Sequence, residues 1–145
     1  MNSRTARARA LLATAATVVL AASGASAGDP AAGEKVFSKC KVCHSITADD
    51  GTVIQKGGKV GPNLYGVIGR QAGTYPDFKY GESLVAAGAA GLVWSEETIA
   101  GYDPDPVKFL TAFLNDPKAK SKMMFKLPSG ADDVAAYLAS VGPSG

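Results

Sequence analysis

Histidine, cysteine and long apolar runs are all scarce in this chain. Among 145 residues there is one histidine, His44, and there are two cysteines, Cys40 and Cys43. Cysteines this close argue against a disulfide framework, because a bridge between them closes a tiny loop and removes little entropy from the unfolded chain. The longest apolar run near the N-terminus, Leu11 to Ala22, is short of the ~20 residues a spanning helix needs. No later segment is long and apolar enough to cross a bilayer. Internal repeats, low-complexity tracts and convincing strand patterns are absent too, which leaves an all-α reading.

What stands at the N-terminus reads as an address. Arg4, Arg7 and Arg9 precede the apolar run, and Ala25-Ser26-Ala27 supplies a small-x-small cleavage pattern. Residues 1–27 are therefore expected to be a secretory signal peptide, with residues 28–145 as one domain exported to the periplasm. An uncleaved leader serving as a membrane anchor is the competing reading. Removing the leader also changes the charge. Three of the 15 Lys+Arg are lost and all 13 Asp+Glu remain, so the formal +2 becomes −1. The basic balance belongs to the leader and does not point to nucleic acid.

Helix signals are strongest at the two ends of the domain. Asp29-Pro30 offers an N-cap followed by Pro at N1, with Gly33, Phe37 and Cys40 on one face. Ser129 and Asp132 form a capping-box pattern ahead of Val134, Tyr137, Leu138 and Val141, and Gly142-Pro143 stops the run. Between these, Ser95-Glu96-Glu97 caps a helix that must end near Tyr102, because Pro104 cannot lie in its interior. Asp105-Pro106 opens another, with Phe109, Leu110, Phe113 and Leu114 as its apolar stripe, and a short helix is expected over 82–87. The segment from Ser45 to Tyr80, rich in Gly and lacking a sustained period, reads as loop. So long a loop needs something to pack on, and a large flat cofactor would supply that surface.

Cys40-Lys41-Val42-Cys43-His44 is a C-x-x-C-H pattern, the attachment signature of c-type haem. Two thiols three positions apart can add to two vinyl groups along one porphyrin edge, and the adjoining His reaches the iron from the same side. A thioredoxin-like redox pair would want a βαβ context and would have no use for the histidine. With one histidine, bis-His ligation is impossible, and with one motif only one covalent haem can be held. The sixth ligand is then Met, Lys, water or nothing. Beyond Met1 the chain holds Met123 and Met124, in the cationic stretch Lys122-Met123-Met124-Phe125-Lys126. A His/Met-ligated iron has a raised potential and no open position, which suits one-electron transfer rather than catalysis.

Over residues 28–141 the chain resembles class I c-type cytochromes, in the cytochrome c2 branch of photosynthetic and related proteobacteria. Besides the haem motif, the matching stretches are Gly33 with Phe37, Gly61-Pro62-Asn63-Leu64-Tyr65-Gly66, Gly69-Arg70, Phe78-Lys79-Tyr80, Trp94, Tyr102, Lys120-Ser121-Lys122-Met123 and Tyr137-Leu138. The resemblance implies short helices and long loops wrapped around one covalent haem c, with the first and last helices crossing at Gly33. It implies thioether bonds from Cys40 and Cys43, His44 as proximal ligand oriented by the Pro62 carbonyl, and Met123 as distal ligand. Tyr80, Trp94 and Arg70 match groups that meet the haem propionates, and Tyr102 matches a tyrosine that contacts the ligand sulfur. Two departures stand out. Pro104 falls where relatives continue a helix, and the adjacent Met124 leaves the methionine assignment open by one position.

Lys39, Lys41, Lys56 and Lys59 lie near the haem motif in sequence, and Lys118, Lys120, Lys122 and Lys126 flank the methionines. If both segments meet at one haem, these cations ring its exposed edge and steer the protein to acidic partners. Lys39, Lys41, Lys59, Lys120, Lys122 and Lys126 are the docking candidates. The resemblance implies a monomeric, non-enzymatic periplasmic shuttle from the cytochrome bc1 complex to a photosynthetic reaction centre or a cytochrome oxidase. A membrane-anchored electron-transfer module shares this chemistry. A five-coordinate gas-binding protein such as cytochrome c′ would place its haem motif near the C-terminus instead.

Overall fold

The computed structural model describes residues 27–143, so the expected leader lies outside the described residues except for Ala27. Along these residues run α1 (Pro30–Phe37), β1 (Ile46–Thr47), β2 (Val53–Gln55), α2 (Glu82–Ala89), α3 (Glu96–Tyr102), α4 (Pro106–Leu114) and α5 (Ala131–Ser140). None of these helices is long and apolar enough to cross a membrane.

Several starts and stops follow from local chemistry as expected. The Asp29 carboxylate accepts the Ala31 N–H at 2.9 Å and Pro30 occupies N1, where its missing N–H costs nothing. Ser95 caps α3 reciprocally with Thr98, and Asp105 caps α4 by accepting from the Lys108 N–H. Helix α3 ends at Tyr102, two residues before Pro104. Helix α2 runs two residues past the expected end, to Ala89. Gly88 makes this possible by lying against the Ala72 carbonyl, where a Cβ would come within 2.0 Å of the oxygen.

Two expectations are corrected. The final helix is capped not by a Ser129–Asp132 box but by Gly130, whose φ of 82° is left-handed and which offers no side-chain cap. Its neighbour Asp133 turns away from its own helix and accepts the Asp29 N–H at 2.8 Å, tying the entry of α1 to the first turn of α5. The glycine-rich stretch from Ser45 is also not all loop. β1 and β2 form an antiparallel hairpin pairing Ile46 with Gln55 and Thr47 with Val53, closed through Gly51 at φ 88°. Asp50-Gly51 between two β-branched runs is the signal that identifies such a hairpin.

Helices α1 and α5 cross at Gly33, which packs on the Asp133 carbonyl and on Tyr137. The Phe37 and Tyr137 rings lie 5.8 Å apart beside them. One core cluster gathers Phe37, Ile46, Val67, Ile99, Leu127, Val134, Tyr137 and Leu138. A second gathers Ala72, Ala87, Leu92, Tyr102, Leu110 and Ala119 around α2 and α4. Trp94 packs against both. Phe113, expected in the apolar stripe of α4, is 41% exposed and only stacks on Phe109.

Candidate haem site

A cavity of about 840 Å³ lies between the two clusters, within the roughly 300–1,000 Å³ range of cofactor sites. Its lining brings together segments that are far apart in the chain: Cys40, Cys43 and His44, Pro62, Arg70, Tyr80, Trp94, Tyr102, and both Met123 and Met124.

The motif wall is built by the turns that follow α1. The Cys40 N–H donates to the Phe37 carbonyl at 2.8 Å, and the His44 N–H donates to the Cys40 carbonyl at 2.9 Å. One turn of chain thus carries both thiols and the imidazole. The glycine-rich segment then closes on the motif's backbone. Gly58 N–H donates to Lys41 O and Gly61 N–H to Cys43 O. A Cβ at Gly57 or Gly58 would stand 1.8 Å from the His44 carbonyl or 2.2 Å from the Val42 carbonyl. The glycines are required there because backbone meets backbone.

His44 is oriented by Pro62, whose carbonyl lies 2.7 Å from Nδ1. A carbonyl only accepts, so Nδ1 carries the proton and Nε2 is left with its lone pair. Burial lowers the His44 pKa, although the Pro62 bond partly opposes this. A neutral imidazole with a lone pair on Nε2 is the form that ligates a metal. Gly61 leaves room for the ring, since a Cβ there would lie 2.3 Å from Cε1.

The two methionines differ sharply. Met123 is partly buried and packs against the Tyr102 cluster, whereas Met124 is 80% exposed. Ser121 fixes the methionine segment. Its Oγ accepts the Met123 N–H at 3.1 Å, is 3.0 Å from the Met123 carbonyl, and is 3.2 Å from the Tyr102 hydroxyl. Tyr102, expected to contact the sulfur, reaches this segment through Ser121. The sequence reading assigned Ser121 no role of its own.

The remaining polar residues are anchored from outside the cavity. Arg70 donates to the Asn63 carbonyl at 3.2 Å and to the Tyr65 carbonyl, and its guanidinium stacks 4.8 Å over Tyr75. The Tyr80 hydroxyl accepts the Tyr75 N–H at 3.3 Å. Trp94 lies edge-on to Tyr102 with ring centroids 5.0 Å apart. Asn63 ties this wall to β1, accepting the Thr47 N–H at 2.9 Å and donating to the Thr47 carbonyl at 2.7 Å. Among the docking candidates, Lys39, Lys120 and Lys122 line the cavity, while Lys126 pairs with Asp105 at 2.6 Å. Lys79, absent from those candidates, lines the cavity too, and its carbonyl accepts from Lys122 Nζ at 2.9 Å.

These walls fit a covalently held porphyrin. Two thiols and an imidazole with a free Nε2 share one wall, a thioether is available elsewhere in the lining, and the surface is mostly apolar, with Arg70, Tyr80, Trp94, Asp103 and four lysines among its polar groups. Burial pushes the Cys40 thiol up to about 12, with Asp103 and Cys43 adding to the effect, so it is not the thiolate that a metal or redox site would use.

No family model matches the chain. The chain is 64% identical over 129 residues to a cytochrome c2 of Rhodobacter capsulatus, covering 89% of this chain and 93% of that protein. It is 62% identical over 117 residues to a cytochrome c-551 of Roseobacter denitrificans, covering 81% and 84%. The solved structure of cytochrome c2 from Rhodobacter capsulatus matches with a TM-score of 0.78 at 65% identity, covering 79% of this chain and 98% of that one. That of Paracoccus denitrificans cytochrome c2 matches with a TM-score of 0.78 at 47% identity, covering 80% and 98%.

Proposed function

The chain belongs to the cytochrome c2 family, and on that premise we propose that it is a periplasmic one-electron shuttle with iron held between His44 and Met123. Members of the family are electron carriers with one covalently attached haem c and are not enzymes, and this chain is one of them. When bound, the haem supplies reversible one-electron chemistry.

The observation that carries the ligand reading is the contrast between the two methionines combined with the His44–Pro62 bond. A 2.7 Å hydrogen bond holds the imidazole with Nε2 free, and the partly buried Met123 is held by Ser121 while Met124 stays 80% exposed. With His44 and Met123 as its two ligands, the iron would have no coordination position left for O₂ or peroxide and would rearrange little between oxidation states. Cys40 and Cys43 anchor one porphyrin edge. Arg70, Tyr80 and Trp94 supply cationic and hydrogen-bonding groups for its carboxylates. Lys39, Lys79, Lys120 and Lys122 put positive charge on the cavity lining, which supports transient docking to acidic membrane complexes. On this reading the donor is the cytochrome bc1 complex and the acceptor a photosynthetic reaction centre or cytochrome oxidase. Cleavage after Ala27 releases the domain, and the N-terminal sequence of the purified protein tests that step.

The deciding experiment is the visible and near-infrared spectrum of the haem-loaded protein, oxidised and reduced, with and without carbon monoxide. A low-spin spectrum with a weak sulfur-to-iron band and no response to carbon monoxide is expected. High-spin iron that takes up carbon monoxide overturns the His/Met reading.

A further inference from the structure

Asp103 is an acid lining a mostly apolar cavity. It forms the C-terminal cap of α3, and its backbone is bonded on both sides. Its N–H donates to the Ile99 carbonyl at 3.0 Å, and its carbonyl accepts the Leu127 N–H at 2.9 Å. Pro104 follows directly, so the helix cannot continue past this cap. Among the described residues the Asp103 carboxyl makes no hydrogen bond and no ion pair.

No cation is positioned to compensate it. Lys126, which leads into Leu127, is paired with Asp105, and the charge of Lys108 at the start of α4 acts on the same Asp105. Arg70 is spent on the Asn63 and Tyr65 carbonyls, and Lys122 on the Lys79 carbonyl. Lys39 and Lys120 line the cavity but do not pair with Asp103. Helix α5, which packs on α3, brings Asp132, Asp133 and Tyr137, of which Asp133 is bonded to Asp29 and Tyr137 to Gln55. The groups that feel the Asp103 charge are Cys40 and Tyr102, where it adds to burial, the larger cause, in raising both. With burial as its one cause, the Asp103 carboxyl is pushed up to about 7.

We propose that Asp103 is the proton-binding group of this haem pocket, and that it takes up a proton when the haem is reduced. The proposal rests on the electron-carrier reading above. Reduction adds one electron to the haem and removes one positive charge from the pocket. A carboxylate beside Cys40 favours the more positive, oxidised state, so its proton is bound more tightly once the electron has arrived. One electron comes from the donor protein and one proton from solvent, and both leave on reoxidation. Two charges several ångströms apart at a partly buried site interact by about 1–2 kcal/mol. The expected difference in proton affinity between the two oxidation states is thus about tenfold, equivalent to about 59 mV in potential between the acid and alkaline limits.

The experiment is the midpoint potential of the haem-loaded protein from pH 5 to 9, for the unmodified chain and for Asp103→Asn. The unmodified protein should lose potential as pH rises through the neutral range. Asp103→Asn should hold the acid-limit value and lack that step. An unchanged step in Asp103→Asn overturns the proposal and assigns the proton to another group. Should the variant fail to load haem, redox-difference infrared spectra of the unmodified protein at pH 7 with carboxyl-13C aspartate decide the matter. A protonated carboxyl band that appears on reduction and shifts with the label supports Asp103, and its absence overturns it. A protein that shows high-spin, carbon-monoxide-binding iron fails the carrier reading instead, whatever its pH profile.

Discussion

Gly33 meets the carbonyl of Asp133 so closely that a single methyl group at Gly33 would lie 1.9 Å from the oxygen. The crossing of α1 and α5 depends on this absent side chain, and so does the Asp29–Asp133 bond beside it.

Replacing Gly33 with alanine is therefore expected to destabilise the domain. Alanine gains about 1 kcal/mol in helix propensity. The clash is with backbone, which cannot rotate aside, and forcing the helices apart costs about 3 kcal/mol. Denaturant unfolding of the haem-loaded protein should show a net loss of about 2 kcal/mol. A neutral or stabilising result would mean that the crossing relaxes freely.

At Gly61 the same substitution acts on the imidazole rather than on a helix. A Cβ there would lie 2.3 Å from His44 Cε1 and 2.6 Å from Nδ1. Gly61→Ala should tilt the ring off the Pro62 carbonyl, raise the high-spin fraction and change the potential. A spectrum identical to that of the unmodified protein would show that the loop moves instead.

Met123→Ala should open the iron to carbon monoxide and remove the sulfur-to-iron band, whereas Met124→Ala should do neither. Met124 is 80% exposed, so its truncation should also leave stability within about 0.5 kcal/mol. The opposite pattern in the spectra would move the ligand by one residue.

Charge reversal of Lys120 and Lys122 to Glu should slow electron exchange with an acidic partner by about tenfold at low salt, with the difference shrinking as salt screens it. The potential should scarcely change. An unaltered rate at low salt would remove these two lysines from the docking surface.

Asp103 also predicts a pH dependence of stability. Its folded-state pKa is raised above the usual carboxylate value to about 7, so the folded protein holds the proton more tightly than the unfolded chain. The folded state is favoured most below about pH 4. The penalty grows between about 4 and 7 and is complete above 7. Asp103→Asn should therefore gain roughly 2 kcal/mol over the unmodified protein at pH 8 and little at pH 4. Parallel unfolding curves at both pH values would contradict an uncompensated carboxylate on the cavity wall.

What the sequence determined by itself is the chemistry that neighbouring residues carry. Cys40, Cys43 and His44 share one turn because their spacing alone dictates it. The helix starts at Asp29-Pro30, Ser95 and Asp105-Pro106 follow from side chains that cap within three residues. With one histidine and one cysteine pair, a single haem with at most one imidazole ligand needed no structure to deduce. Tertiary structure decided what depends on residues remote in the chain. Local pattern leaves the choice between Met123 and Met124 to resemblance alone, and only tertiary packing against the Tyr102 cluster partly buries one while the other stays exposed. Gly130 rather than Ser129 caps α5, with a left-handed φ of 82° and Val36 of α1 only 3.0 Å from the place of a Cβ. Asp103 reads as one more acid beside a proline until Ile99 and Leu127 fix its backbone at the cavity wall. Burial, which governs ligand choice and proton affinity alike, is a property of the packed chain, because it is set by atoms that no local pattern encodes.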